Sequence, residues 1–200
     1  MRPILVLTLM VAVAGLAVDK DGGKFRPGTA SAYKSAQKAE GITIAAIPYH
    51  TATMAATAFG KVNPYEHDIL PVLLVIENGT GKAIRASDLK VEFVDLSNRQ
   101  VEAVPAGDVV LMGGARKVPK IGGSGSPIPL PKRNKKGPLN TWEIEGRAFS
   151  AKLIPPGENV NGFVYFETSY KSGSKLYVTG LKDAATGKDY FFFEVPIELP

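Results

Sequence analysis

Two hundred residues, 44% hydrophobic and 22% charged, are enough for one packed domain with extensions or for two small ones. The chain has no cysteine, which excludes disulfides, thiolate nucleophiles, cysteine-type zinc sites and a lipidated cysteine. Twenty-one glycines and fifteen prolines suit short strands with frequent turns, and the formal net charge of +5 favours anionic partners.

Residues 1–17 read as a signal peptide. Arg2 gives a positive start, Ile4 to Ala14 is apolar, and small residues at Ala12–Ala14 and Gly15–Ala17 suit cleavage. The apolar run is shorter than the roughly 20 residues a membrane helix needs, so no transmembrane span is expected after cleavage. Residues 18–40 read as a polar tether, with Ala30 to Glu40 as a short helix on propensity.

Ile42 to Ile47 is the first expected strand. Thr51 or Thr53 then caps a short helix that Gly60 stops, and Asn63-Pro64 begins a turn. Leu70 to Ile76 is apolar without alternation, the pattern of a strand covered on both faces. Asn78-Gly79 reads as a hairpin turn. It leads into a strand with Leu89, Val91 and Phe93 on one face and Lys90, Glu92 and Val94 on the other. Asn78-Gly79-Thr80 also matches a glycosylation sequon, with a plain turn as the preferred reading. Val101 to Val104 and Asp108 to Met112 are expected as short strands.

Residues 113–140 change character. Repeated Gly-Gly and the alternating prolines of Ser126 to Pro131 resist a packed core and read as a flexible, partly polyproline loop. Alternation resumes at Arg147 to Ile154, with Phe149, Ala151 and Leu153 on one face. Strands follow at Gly162 to Glu167, Lys175 to Leu181 and Asp189 to Leu199, separated by turns at Pro155-Pro156-Gly157, Ser169 to Ser174 and Ala185 to Lys188.

Two segments carry a family likeness. LLVIENGTGKAIRASDLKVEFVDLSNRQVEAV resembles the strand, turn, strand pattern of bacterial extracytoplasmic immunoglobulin-like domains of unknown function, and LIPPGENVNGFVYFETSYKSGSKLYVTGL is similar to their second half. The resemblance implies an all-β, immunoglobulin-like β-sandwich over residues 41–200. Seven or eight strands, one short helix and a long Gly/Pro/Lys-rich loop at 113–140 would make it up. It implies no site residues, because the shared pattern marks turns and core.

No catalytic pattern stands out. No GxSxG elbow occurs, and Glu143 and Glu145 share one side of an expected strand as solvated residues do. The glycine-rich runs lack a phosphate-loop ending. No enzyme activity and no cofactor are expected. His50, Met54, His67 and Met112 are the residue types of a soft copper site, but nothing in their spacing unites them. Phe163, Tyr165 and Phe166 and the run Tyr190 to Phe193 are expected mainly as core rings, with outer ones meeting the tether or the loop.

Charge is the informative feature. From Val109 to Trp142 there is no acidic residue, while Arg116, Lys117, Lys120, Lys132, Arg133, Lys135 and Lys136 contribute seven positive charges. The rest of the chain therefore carries a net −2. The expected function is an exported, non-enzymatic binding module of a bacterial envelope, periplasmic or extracellular. These seven residues and Trp142 would contact an anionic envelope component or another envelope protein. Nucleic acid is less expected, because Trp142 is the one aromatic of the stretch. The alternatives are an assembly subunit pairing through a sheet edge and, more weakly, a copper carrier.

Overall fold

The computed structural model of the chain describes residues 25–112, 137–139 and 141–199. In chain order these form a 3-10 turn (Ala30–Ala32), β1 (Gln37–Ala39), β2 (Ile42–Pro48), α1 (Ala52–Phe59) and a second 3-10 turn (Pro64–His67). Then come β3 (Leu70–Asn78), β4 (Ile84–Arg85), β5 (Lys90–Val94), β6 (Gln100–Glu102), α2 (Ala106–Met112) and α3 (Trp142–Gly146). The chain continues with β7 (Leu153–Ile154), β8 (Asn159–Phe166), β9 (Lys175–Thr179), β10 (Lys182–Asp183) and β11 (Phe193–Pro196). The strands make three antiparallel sheets, ordered β1-β2-β3-β8, β10-β4-β7 and β11-β9-β5-β6. The described part of the chain is mostly β.

The unbroken apolar run in β3 finds cover on both faces, as such a run requires. Leu70, Val72, Leu74 and Ile76 enter one core, and Leu73 and Val75 enter a second on the opposite face. The first core joins β2 and β3 to Val91, Phe93, Leu176, Val178 and Val195 of the β11-β9-β5-β6 sheet. In it the Phe93 and Phe166 rings lie 5.8 Å apart. The second core packs Phe59 of α1, Val109 of α2 and Ile144 of α3 onto Ile47, Phe163 and Tyr165. The central sheet thus lies between another sheet and a layer of helices. The α1 boundaries follow local chemistry: the Thr51 hydroxyl accepts from the Met54 N–H at 3.3 Å, and Gly60 ends the helix at φ 66°.

Several expected elements differ. Leu70 to Val94 is not a hairpin, because β3 pairs with β2 and β8 while β5 pairs with β6 and β9. With both edges of β3 taken, the chain crosses after Asn78 to the other sheet by way of β4. The positive backbone angle falls at Gly81, φ 73°, beyond the Asn-Gly pair. Val94, expected on the wet face, is fully buried.

One short helix was expected, yet three α-helices occur among the described residues. Asp108 to Met112 belongs to α2: the Val109 N–H donates to the Pro105 carbonyl at 3.1 Å. In the helix the adjacent Val109 and Val110 are buried while Leu111 is exposed. The expected Ala30 to Glu40 helix is a 3-10 turn followed by β1. Between Arg147 and Ile154 only β7 is strand, and Leu153 is exposed. The last strand shortens to β11, leaving Phe191 and Phe192 exposed while Phe193 joins the core. Among the described residues eleven strands, five of them two or three residues long, stand where seven or eight were expected.

Candidate functional site

Gly162 decides where the site forms. Residues 147–149 run along the outer edge of β8: the Phe163 N–H donates to the Arg147 carbonyl at 2.8 Å, and the Phe149 N–H donates to the Phe163 carbonyl at 2.9 Å. A Cβ on Gly162 would collide with the Phe149 backbone, so only glycine admits the chain this closely. Just upstream, the Tyr165 hydroxyl donates to the Ile144 carbonyl at 2.7 Å and ties α3 to the sheet. Burial raises the Tyr165 pKa well above the ordinary phenol value, which keeps it a neutral donor.

This arrangement sets Trp142 and Arg147 at the two ends of α3. Trp142 is 68% exposed. A Cβ at Gly146 would stand 2.8 Å from Trp142 Cε3, so the indole lies against bare backbone. The Arg147 guanidinium carbon sits 5.0 Å from the Phe25 ring centroid and 5.7 Å from that of Trp142. Both distances are in cation–π range. Phe25 in turn stacks on Phe163 at 5.3 Å and meets Tyr49 edge-on at 5.8 Å. Burial, with the neighbouring Tyr33 adding to it and Arg147 opposing it, pushes the Tyr49 phenol up to about 12.

A groove of about 420 Å³ opens here, with Phe25, Arg26, Trp142, Arg147, Ser150 and Asn161 in its lining. Arg147 Nη1 is buried and has no hydrogen-bond partner. Among the described residues neither Arg26 nor Arg147 forms an ion pair. The groove therefore offers unspent cationic donors beside an exposed aromatic face.

Of the residues expected to bind, Trp142 lies in this groove. Arg116, Lys117, Lys120, Lys132, Arg133, Lys135 and Lys136 lie outside the described residues. Phe25, Arg26, Arg147 and Asn161 were not anticipated. The Phe25-Arg26 pair in an otherwise polar tether was the one sequence hint.

Other candidate chemistry disperses. Glu143 and Glu145 sit on α3 rather than on a strand. His50 packs against Tyr170 at 4.6 Å and Tyr65 at 5.9 Å between ring centroids, and Met54 packs on the second core. His67 and Met112 line a separate cleft of about 830 Å³, whose lining includes neither His50 nor Met54. Among the described residues no three His, Asp or Glu side chains gather as a metal site. In that cleft Asp95 is occupied by its own turn. The Ser97 hydroxyl first, then the Arg99 and Ser97 N–H groups, hold its carboxyl down to about 2.

The sequon asparagine is a structural plug. Asn78 is buried, and its Nδ2 donates to the carbonyls of Lys82, Ile154 and Pro155 at 2.7, 2.8 and 3.0 Å. A glycan on that nitrogen would have to displace these bonds.

No protein-family model matches the chain, and no curated protein matches it. Among solved structures, ycdA of Bacillus subtilis, provisionally classed as a lipoprotein, is similar over 82% of this chain at 9% identity and a TM-score of 0.36. The chain spans 39% of that protein. So loose a likeness carries no argument about fold or role. Among the described residues no helix is long and apolar enough to cross a membrane.

Proposed function

We propose that the chain is an exported, non-enzymatic binding module of a bacterial envelope that holds an anionic partner through its basic stretch and the groove beside it. One observation carries the reading. Two arginines without ion-pair partners among the described residues flank the exposed Trp142, at the exit of a stretch with seven cations and no acid. In this reading residues 1–17 are the signal, and the strands form an immunoglobulin-like β-sandwich whose outer face the helices cover. Each Lys or Arg near an anionic surface contributes about 1 kcal/mol, screened by salt.

The test is retention of the mature protein on anionic vesicles and acidic envelope polysaccharide across a salt series, beside a form lacking Arg116 to Lys136. Retention should fall with salt and be lost with the deletion, while circular dichroism stays native. Unchanged retention after deletion, or no retention by the intact protein, would overturn the proposal.

A second reading, an assembly subunit pairing through a sheet edge, is favoured by β1. All three of its residues are exposed, and it pairs on one side with β2. Three residues make a short edge. A monomer mass independent of concentration would count against this reading.

A further inference from the structure

We infer that the groove between Trp142 and Arg147 is a subsite for an acidic sugar residue. Its ring would rest on the indole, and its carboxylate would be received by Arg147 and Arg26. This assignment rests on the binding-module reading above and narrows its partner to a carboxylate-bearing glycan.

Three features of the groove favour that ligand. The first is the platform. Because Gly146 lacks a side chain, the Trp142 ring lies against its own helix instead of projecting as a wedge. An indole held this way suits a flat contact with a sugar's C–H face better than insertion between lipid chains. The second is the cation. Arg147 lines the groove, is fixed against two aromatic rings and forms no ion pair among the described residues. A planar guanidinium held in place pairs with a carboxylate through two parallel bonds. Arg26, exposed on the same groove, supplies a second cation. The third is the polar rim. The Asn161 amide and the Ser150 hydroxyl offer both donors and acceptors, as sugar hydroxyls require. At about 420 Å³ the groove falls within the roughly 300–1,000 Å³ usual for small-ligand sites.

Trp142 is the single tryptophan of the chain, so its fluorescence reports on this groove alone. The experiment titrates the full mature protein with a polyuronate hexasaccharide. Parallel titrations use its carboxyl-reduced neutral counterpart, phosphatidylglycerol vesicles and single-stranded oligothymidylate. The uronate should shift the emission and saturate, and the reduced sugar should bind at least roughly tenfold more weakly, since a charged hydrogen bond is what it loses. Arg147→Gln should weaken uronate binding by about 10- to 100-fold. Arg26→Gln, on an exposed side chain that cannot unfold the protein, should weaken it by several-fold. Gly146→Ala, which displaces the indole, should change the unliganded emission as well as the affinity.

Binding of vesicles or oligothymidylate without binding of uronate would overturn the sugar assignment and leave the anionic-module reading standing. Equal affinity for acidic and reduced sugars would overturn the carboxylate role. Binding of none of the four probes would overturn both.

Discussion

Asn78→Ala should cost about 3–5 kcal/mol, the combined loss of several hydrogen bonds and of the packing of a fully buried amide. Asn78 is fully buried at the end of β3. Its Nδ2 joins three carbonyls, on Lys82 before β4 and on Ile154 and Pro155 at β7. Its Oδ1 accepts from the Thr80 N–H at 3.0 Å and the Thr80 hydroxyl at 2.8 Å. One amide thus joins the central sheet to the small β10-β4-β7 sheet. Lys82 and Thr80 lie near solvent, so water can replace those bonds at a net cost of about 1 kcal/mol each or less. The bond to the Ile154 carbonyl is buried, and losing it costs about 1–1.5 kcal/mol, since that carbonyl keeps its place opposite Ile84 in the β4–β7 pair. The cavity left by the amide adds to this.

For a chain of this size each kcal/mol lowers Tm by about 2–4 °C, so a fall of roughly 10 °C is expected by calorimetry. Asn78→Asp keeps the shape but sets an acceptor against three carbonyls, and should fall further at neutral pH. A drop under about 3 °C for Asn78→Ala would refute the reasoning, because it would leave less than about 1.5 kcal/mol for the whole network.

Two further outcomes are expected. Gly162→Ala should push residues 147–149 off the edge of β8, lowering Tm and altering Trp142 emission together; native stability with unchanged emission would show that this crossing is not tight. Asp183 accepts from the Thr186 and Ala185 N–H groups at 2.9 Å each and faces Lys82 at 3.3 Å. The Thr186 bond first among these lowers its pKa from 3.8 to about 2. A depressed carboxylate stabilises the fold above its unfolded pKa, and that contribution is lost as pH falls from about 4 to 2. Asp183→Asn should flatten the acid limb of a Tm-against-pH profile in that window, and an unaltered limb would refute the assignment.

Much of the strand pattern was legible locally. The unbroken run Leu70 to Ile76 announced a strand covered on both sides, because a two-residue period leaves no wet face. Thr51 and Gly60 marked α1, since cap chemistry depends on a few neighbouring residues. Pairing was not legible. Asn78-Gly79 looks like a hairpin turn, but whether a strand pairs with its successor depends on which edges other strands have taken. Here β2 and β8 took both edges of β3. The Asp108 to Met112 segment misled for a related reason: Val109 and Val110 are buried in a core that includes Phe163 and Tyr165, more than fifty residues away.

The candidate site divides the same way. Its charge and its Trp142 could be read along the chain, because composition needs no partner. Its arginines could not. Phe25-Arg26 comes from the N-terminal segment and Arg147 from the far side of the basic stretch, and they share a groove only because Gly162 lets residues 147–149 lie on β8. By itself the sequence determined that the chain builds short strands around a doubly covered one and concentrates its positive charge in one place, since propensity, period and charge are local. The tertiary structure alone decided the strand pairing, the burial of Asn78 and the meeting of Trp142 with two arginines. Those depend on contacts between residues far apart in the chain, which close packing selects and local pattern does not encode.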